Sequence, residues 1–376
     1  MSKKGKLTLL QRLSKKQLID YIKSINASDY TARRNYLGGS TQISEYITRG
    51  AISLPQVRDL ILINNSANDA FKLINELSWR EYWQLVWRVR GDEIFEYIKL
   101  LPFKPRQGIP TAVLNANTGI TVLDEGIRQL KDTGYIDNHM RMWIAGLVCN
   151  VARCDWKIGA NWMHSYLIDG DFASNHLSWQ WVAGSYTGKA YLPQQDNINK
   201  YSNTEQPGSY LDKPYEVLEK MEIPPELLEI TGTLPSFGVT LPQSTINVQE
   251  LSNEPEILLY SPWTLDPDWL PKSKAPRVLL IDEDMFRNTY SQNVLDSIMW
   301  FANEIKDLKI LCAEPQVLSA LHTQIIRKDY PGTVDWPGRV EKPELLYSAI
   351  PEKFYPSFSS YWKQVEKLQL FPNHRI

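Results

Sequence analysis

Ile168-Asp169-Gly170-Asp171-Phe172-Ala173-Ser174-Asn175-His176-Leu177-Ser178-Trp179-Gln180-Trp181 is the stretch from which the architecture of this chain is read. Two carboxylates one residue apart invite a calcium loop. Ala173, however, stands where an EF-hand would continue with a ligand, and no bidentate Glu closes the loop, so a metal is rejected. The stretch ends a long segment, from about Leu7 to Trp181, in which apolar residues recur at helical spacing. Its breaks fall near Asn26-Ala27-Ser28, Tyr36-Leu37-Gly38-Gly39 and Leu101-Pro102-Phe103-Lys104-Pro105, and hardly any period-2 run interrupts it. The implied domain is mainly α.

Beyond Trp181 the text changes. Between roughly Tyr186 and Pro271 it is rich in Pro, Asn, Gln and Ser, and reads as an ordered wrap with one short helix. After Pro276, Arg277-Val278-Leu279-Leu280-Ile281-Asp282 reads as a buried strand, Asn293 to Ile305 as a helix, Leu308 to Cys312 as a strand and Pro315 to Ile326 as a second helix. That βαβα unit implies a small parallel sheet. The turn Asp282-Glu283-Asp284 carries no glycine-rich phosphate loop. Tyr355 to Trp362 reads as an aromatic loop. The expected division is 1–200 helical, 201–271 linker and 272–376 α/β.

With 376 residues, 43% hydrophobic and 22% charged, the composition is that of an ordinary globular protein, apart from 13 Trp residues. A net charge of −2 offers no global field for nucleic acid, so DNA binding requires a local basic patch. The basic start Met1-Ser2-Lys3-Lys4-Gly5-Lys6 is followed by too short an apolar run for a signal peptide, and no stretch approaches membrane-spanning length. Cys149, Cys154 and Cys312 cannot supply the four thiolates of a usual iron–sulfur cluster or Cys-rich zinc site, and fit a reducing cytoplasm.

Three further segments carry chemistry. In Gly38-Gly39-Ser40-Thr41-Gln42-Ile43-Ser44-Glu45-Tyr46-Ile47, glycines and hydroxyls before a helix offer donors suited to a diphosphate, although alone this is also an N-cap pattern. In Asn75-Glu76-Leu77-Ser78-Trp79-Arg80-Glu81-Tyr82-Trp83, indoles four apart share a helix face, a spacing more often core than site. The interleaved Asn75, Glu76 and Arg80 are less expected of a core, because buried charge requires a partner. The third runs from Thr118-Gly119-Ile120-Thr121-Val122-Leu123-Asp124 through Gly126 to Leu130, and on to Asn138-His139-Met140-Arg141-Met142.

In this order and at nearly these spacings, the four segments resemble the FAD-binding domain of the DNA photolyase/cryptochrome family over about Tyr30 to Tyr201. The family patterns are Gly-Thr-Ser-x-Leu-Ser, Asn-Glu-Leu-x-Trp-Arg-Glu, Thr-Gly-x-Pro-x-Val-Asp, Asn-x-x-Arg-Met and Asp-Gly-Asp-x-Ala-x-Asn-x-x-x-Trp-Gln-Trp. The resemblance implies a mainly α domain binding FAD without a covalent link. It assigns Ser40, Thr41 and Ser44 to the FAD phosphates, and Tyr30, Arg80, Asn138 and Asp171 to further cofactor contacts. Arg141 and Asp169 correspond to an ion pair beside the isoalloxazine ring, and Asn175 to the residue facing flavin N5. An Asn there is typical of photolyases, whereas plant cryptochromes tend to carry Asp and animal ones Cys. Glu76, Trp79, Met142 and Trp181 match the residues that grip a flipped pyrimidine dimer, with aromatic walls replacing lost base stacking. Trp179 and Trp156 match the first two members of an electron-relaying tryptophan chain. Leu101 to Asn117 contains no Trp for the third, so that either a surface residue substitutes, with Trp162 and Trp143 as candidates that also read as core, or photoreduction is poor.

Departures from the family are Ile120-Thr121 in place of an aromatic-Pro pair, and His139 where many members have a DNA-contacting Arg. The N-terminal antenna domain is expected to be missing, with the βαβα tail resembling a piece of it placed after the flavin domain. FAD alone is expected, with no antenna chromophore, metal or iron–sulfur cluster. The functions implied are light-driven repair of pyrimidine dimers in damaged DNA, a cryptochrome-like photosensor signalling through a protein partner, and a flavin-domain relic acting as a binding module. No membrane partner is expected.

Overall fold

The computed structural model describes residues 12–371. The basic Met1-to-Lys6 segment lies outside the described residues. The helical part comprises α1 (Lys15–Ser24), α2 (Ala27–Arg33), α3 (Ser44–Thr48), α4 (Leu54–Asn64), α5 (Ala67–Arg90), α6 (Thr111–Leu114), α7 (Thr121–Thr133), α8 (Asn138–Gly146), α9 (Trp156–Tyr166), α10 (Phe172–Ala183) and α11 (Gln195–Ser202). Local chemistry sets many of these ends. Ser14 with Gln17 and Ser53 with Gln56 form capping boxes at α1 and α4, satisfying backbone donors that the helix itself leaves free. Ser66 caps α5 and Asp171 caps α10, each accepting from the backbone N–H three residues on. A five-residue π-helical turn, Leu147–Val151, extends α8. Two-residue strands β1 (Ile109–Pro110) and β2 (Ile230–Thr231) pair antiparallel and tie the segment after α11 back onto the helical part.

After the short α12 (Tyr215–Leu218) and α13 (Val248–Leu251) comes a five-stranded parallel sheet. Its strands are β3 (Glu256–Tyr260), β4 (Arg277–Ile281), β5 (Lys309–Cys312), β6 (Gln324–Lys328) and β7 (Arg339–Glu341), in the order β5-β4-β3-β6-β7. The chain starts in the centre, steps outward twice, then crosses to the other side, which is the order of a doubly wound sheet. Side chains alternate between two apolar clusters. Ile257, Leu259, Val278 and Leu280 face one, while Leu258, Tyr260, Leu279 and Ile281 face the cluster that also holds Leu73, Ile74, Tyr82 and Val86 of α5. Burial on both faces is why β3 and β4 read as continuous apolar runs.

Around the sheet lie α14 (Glu283–Thr289) and α15 (Gln292–Asn303), and the chain ends in α16 (Phe358–Lys367). Three readings of the sequence are corrected here. Strand β3 lies inside the segment 201–271 read as linker. The second helix read from Pro315 to Ile326 is a 3₁₀ turn, Pro315–Ala320, followed by β6, because Ile325 and Ile326 pair with Ile257 and Leu258. The aromatic stretch Tyr355 to Trp362 is not a loop: Ser357 caps α16, whose apolar face carries Phe358, Tyr361 and Val365. No helix among the described residues is long and apolar enough to cross a membrane.

Candidate functional site

The most ordered polar cluster in the helical part is centred on Asp169. Both oxygens of its carboxylate accept from the single nitrogen Arg141 Nη2, at 2.9 Å each, and Oδ2 also accepts from Ser44 Oγ at 2.6 Å. Charge-assisted geometry of this kind fixes orientation as well as adding energy. The Asp169 carboxylate is nearly buried, and Arg141 keeps about a quarter of its side chain exposed. Arg141 Nε is anchored on Ile136 O at 2.9 Å, and opposite charge from Asp169 holds the guanidinium pKa above its ordinary value despite burial. Thr48 lies one turn after Ser44 on α3. Its hydroxyl donates to Asp169 O at 2.9 Å and lies 2.8 Å from Arg80 Nη2. Arg80 in turn lies 3.7 Å from Asp171, which also accepts from Gln84, one turn further along α5. Thr48 and Gln84 were not singled out from the sequence; each sits one helical turn from a residue that was.

The Gly38-to-Ser44 segment is held by both backbone and side-chain bonds instead of acting as a cap. Ile43 occupies the N-cap of α3 with no side-chain cap bond. Ser40 Oγ pairs with Tyr135 Oη at 2.7 Å, Gly38 N–H donates to Asp137 at 2.8 Å, and Thr41 O accepts from Tyr21 Oη at 2.9 Å. Gly39 is required by close approach, since a Cβ there would lie 2.0 Å from Arg33 O. A second group joins Tyr30, Arg34 and Glu76. Arg34 pairs with Glu76, whose carboxyl is pushed above its usual range by burial, while burial first and the Glu76 charge second raise the Tyr30 phenol to about 12.

On α10, Asn175 is buried and its amide donates to Ala160 O at 3.0 Å. The neighbouring Ser174 Oγ is buried without a hydrogen-bond partner. Trp179, one turn beyond Asn175, packs on Gly159 of α9, and Trp156 is fully buried one turn before that glycine. Trp181 and Met142 are partly buried against the same apolar cluster, and Asn138 is exposed with its amide 3.6 Å from Met142 Sδ.

Trp79 departs from expectation. Phe358 of α16 stacks on its ring at 4.0 Å and 10°, and Trp83 and Tyr82 contact it at 5.4 and 6.0 Å. One face of the indole expected to grip a dimer is therefore filled by the chain's own C-terminal helix. Trp143 and Trp162, the candidate surface members of an electron chain, are both 0% exposed and belong to the core.

The residues present fit a flavin nucleotide in kind. The guanidinium groups of Arg80 and Arg141 and the Ser40 hydroxyl offer donors for an anionic and polar ligand, while the Ser44 and Thr48 hydroxyls donate to Asp169 and hold it in place. The buried Asn175 amide and the unpartnered Ser174 hydroxyl offer polar contacts on α10.

Comparison with known proteins points the same way. The family model for the FAD binding domain of DNA photolyase matches residues 73–224. A deoxyribodipyrimidine photo-lyase of Alkalihalophilus pseudofirmus is 29% identical over 212 residues, 54% of this chain and 42% of that protein. One from Buchnera aphidicola is 33% identical over 169 residues, 39% of this chain and 33% of its own length. A cryptochrome DASH of Danio rerio is 30% identical over 181 residues, 45% of this chain and 35% of that protein. The chain thus spans about two fifths of the length of these relatives, or less. Over residues 73–224 the chain therefore resembles the FAD-binding domain of the DNA photolyase/cryptochrome family.

Proposed function

We propose that this chain binds FAD without a covalent link around the Arg141–Asp169 pair, and that it repairs pyrimidine dimers in DNA under blue light. The observation that carries the reading is the convergence of residues far apart in sequence, Ser44, Thr48, Arg80, Arg141 and Asp171, around Asp169, with the buried Asn175 on the adjoining helix. Bound and reduced, FAD would supply the light-driven one-electron chemistry that opens the cyclobutane bonds of a dimer without net redox. The chain's residues bind, orient and exclude water. Ser40, Thr41 and Ser44 hold the phosphates, with Tyr30, Arg80, Asn138 and Asp171 as further contacts. The Arg141–Asp169 pair would hold the ring, and the Asn175 amide would serve its N5. Trp181, Met142 and Glu76 receive the flipped dimer, and Trp79 joins them on the faces that Phe358 leaves. Trp179 and Trp156 carry electrons inward when the oxidised cofactor must be reduced.

The stack of Phe358 on Trp79 favours a second reading, in which the C-terminal helix covers the lesion side and the protein serves as a photosensor signalling through a protein partner. One experiment separates the two. The purified, chemically reduced protein is illuminated with dimer-containing oligonucleotide, and intact pyrimidines are counted by chromatography. Light-dependent reversal that disappears in Trp181→Ala supports repair. A flavin-loaded protein that leaves every dimer unchanged overturns it in favour of sensing.

A further inference from the structure

Trp156 is 0% exposed, and its indole Nε1 has no hydrogen-bond partner. An electron vacancy on such a ring can neither shed a proton nor meet a reductant from solution. Its connection inward runs along one helix face. A Cβ on Gly159, one turn after Trp156, would lie 2.4 Å from Trp179 Cζ3, so the Trp179 ring occupies the space that the missing side chain leaves against α9. Two further rings contact Trp156: that of His176 at 6.3 Å, itself buried, and that of Tyr97, which is partly exposed and is therefore the way outward. The Tyr97 ring lies 5.8 Å from that of Trp156 at 70°, an edge-on contact in the range of packed aromatic pairs. Tunnelling falls steeply with distance, so neighbouring rings in contact form the fastest exit.

Tyr97 is half-buried, and its hydroxyl donates to Asp155 Oδ1 at 2.8 Å. Asp155 is itself buried and held in place: Oδ1 caps α9 by accepting from Lys157 N at 3.0 Å, and Gln107 Nε2 lies 3.4 Å from Oδ2. The Lys157 ammonium sits 5.3 Å from the Tyr97 ring centroid and pairs with Glu96 at 2.7 Å. Burial, together with the Asp155 carboxylate, pushes the Tyr97 phenol well above its ordinary pKa, so it stays protonated at any working pH and must release its proton as it is oxidised.

We infer that Tyr97 is the terminal electron donor of the route through Trp156 and Trp179, with Asp155 as the proton acceptor. The inference rests on the flavin reading above, the photoexcited oxidised flavin being the primary oxidant. In the step itself, one electron passes from the Tyr97 ring to the Trp156 radical cation, restoring neutral Trp156. The phenolic O–H bond breaks, and its proton crosses to Asp155 Oδ1, leaving a neutral tyrosyl radical and a carboxylic acid. A thiol reductant in solution then gives the tyrosyl a hydrogen atom, and Asp155 releases its proton to water. The missing third tryptophan is thereby replaced by a residue that follows the 3₁₀ turn Gly91–Phe95 after α5, upstream of Leu101 to Asn117.

The test uses the FAD-loaded full chain in its oxidised form, with blue-light transient absorption and electron paramagnetic resonance, and a thiol as external donor. Wild type should yield a long-lived tyrosyl signal. Tyr97→Phe should lose it, show a shorter-lived tryptophanyl signal and photoreduce severalfold more slowly. Asp155→Asn should slow tyrosyl formation while leaving the early tryptophanyl signal intact. Trp156→Phe should abolish the tyrosyl signal but keep the Trp179 radical. A tyrosyl signal or photoreduction rate unchanged in Tyr97→Phe overturns the assignment while leaving the flavin site standing. A folded protein that takes up no FAD, or a Trp179→Phe variant that photoreduces normally, overturns the underlying reading and the assignment with it.

Discussion

Asp169 shows how one carboxylate can decide a site, because three hydrogen bonds from two side chains on two helices converge on it. Asp169→Asn keeps the shape but strands the Arg141 guanidinium. Breaking a fully buried pair costs about 3–5 kcal/mol, and the partial exposure of Arg141 places this one near 2–3 kcal/mol. The expected result is a lower melting temperature and loss of most bound flavin, read as flavin absorbance per mole of protein; a full complement of flavin would sink the assignment of this pair. His176 makes a second residue-scale prediction. It is buried between Phe172 O and Asn161 Oδ1, each at 3.0 Å, and burial lowers its pKa from 6.5 to about 4. A depressed pKa means that the unfolded chain takes up the proton first as pH falls, so stability present above the unfolded value is lost between roughly pH 6.5 and 4. The full loss is roughly 3 kcal/mol, and His164, buried nearby with its pKa also lowered, adds in the same direction. Denaturant midpoints measured across that interval should fall, and His176→Gln should flatten the slope; identical slopes would refute the role. Arg141, Asp169 and Asn175 were singled out in the sequence because the segments that hold them resemble the flavin-domain patterns of the photolyase/cryptochrome family. Arg34, Thr48 and Gln84 were not, since each is an ordinary helix-compatible residue whose partner lies 42, 121 or 87 positions away.

At the scale of elements, the helices were readable from periodicity and α15 falls nearly where expected, but the sheet was only half seen. A short apolar run such as Glu256-Ile257-Leu258-Leu259-Tyr260 has no period of its own and sits among turn-forming residues, so only its partners define it as a strand. Ile325 and Ile326 likewise become strand through pairing with β3. The C-terminal helix matters most for function. It reaches α5 not only through Phe358 but through Tyr361 Oη, which donates to the buried Glu81 carboxylate, to which the segment before the helix adds the backbone N–H groups of Leu346 and Tyr347. Phe358→Ala removes the ring over Trp79 and leaves those bonds in place. Loss of a large buried aromatic costs about 3–5 kcal/mol. The variant should therefore melt earlier yet bind dimer-containing DNA more tightly than wild type, with undamaged DNA as control. Weaker or equal binding in a variant shown to be folded would mean that the covered face of Trp79 is not a lesion contact.

Across the whole molecule, the doubly wound sheet directs the carboxyl ends of its central strands into the helical part. In such sheets the crevice at the switch of strand order, here between β3 and β6, is the usual ligand position. Trp263, just after β3, and Tyr330, just after β6, stack there on one another at 5.0 Å and 6°. Phe172 lies against Trp263 at 5.6 Å and Trp87 against Tyr330 at 5.4 Å, and Arg49 ties Ile168 O to Pro262 O through its two terminal nitrogens. Phe172 directly follows Asp171, so the sheet buttresses the start of the helix on which Asn175 sits. One apolar cluster therefore serves α5 and the sheet together, and the two should unfold as one unit despite their different architectures. The expected outcome is a single thermal transition by calorimetry, with matching midpoints for helical circular dichroism and for flavin release. Trp263→Ala, which opens a cavity worth about 3–5 kcal/mol at that junction, should lower both midpoints equally and weaken flavin retention although the residue touches none of the proposed flavin contacts. Two separate transitions in the wild type, with flavin released only at the later one, would show that the sheet is an independent appendage and that the site stands without it.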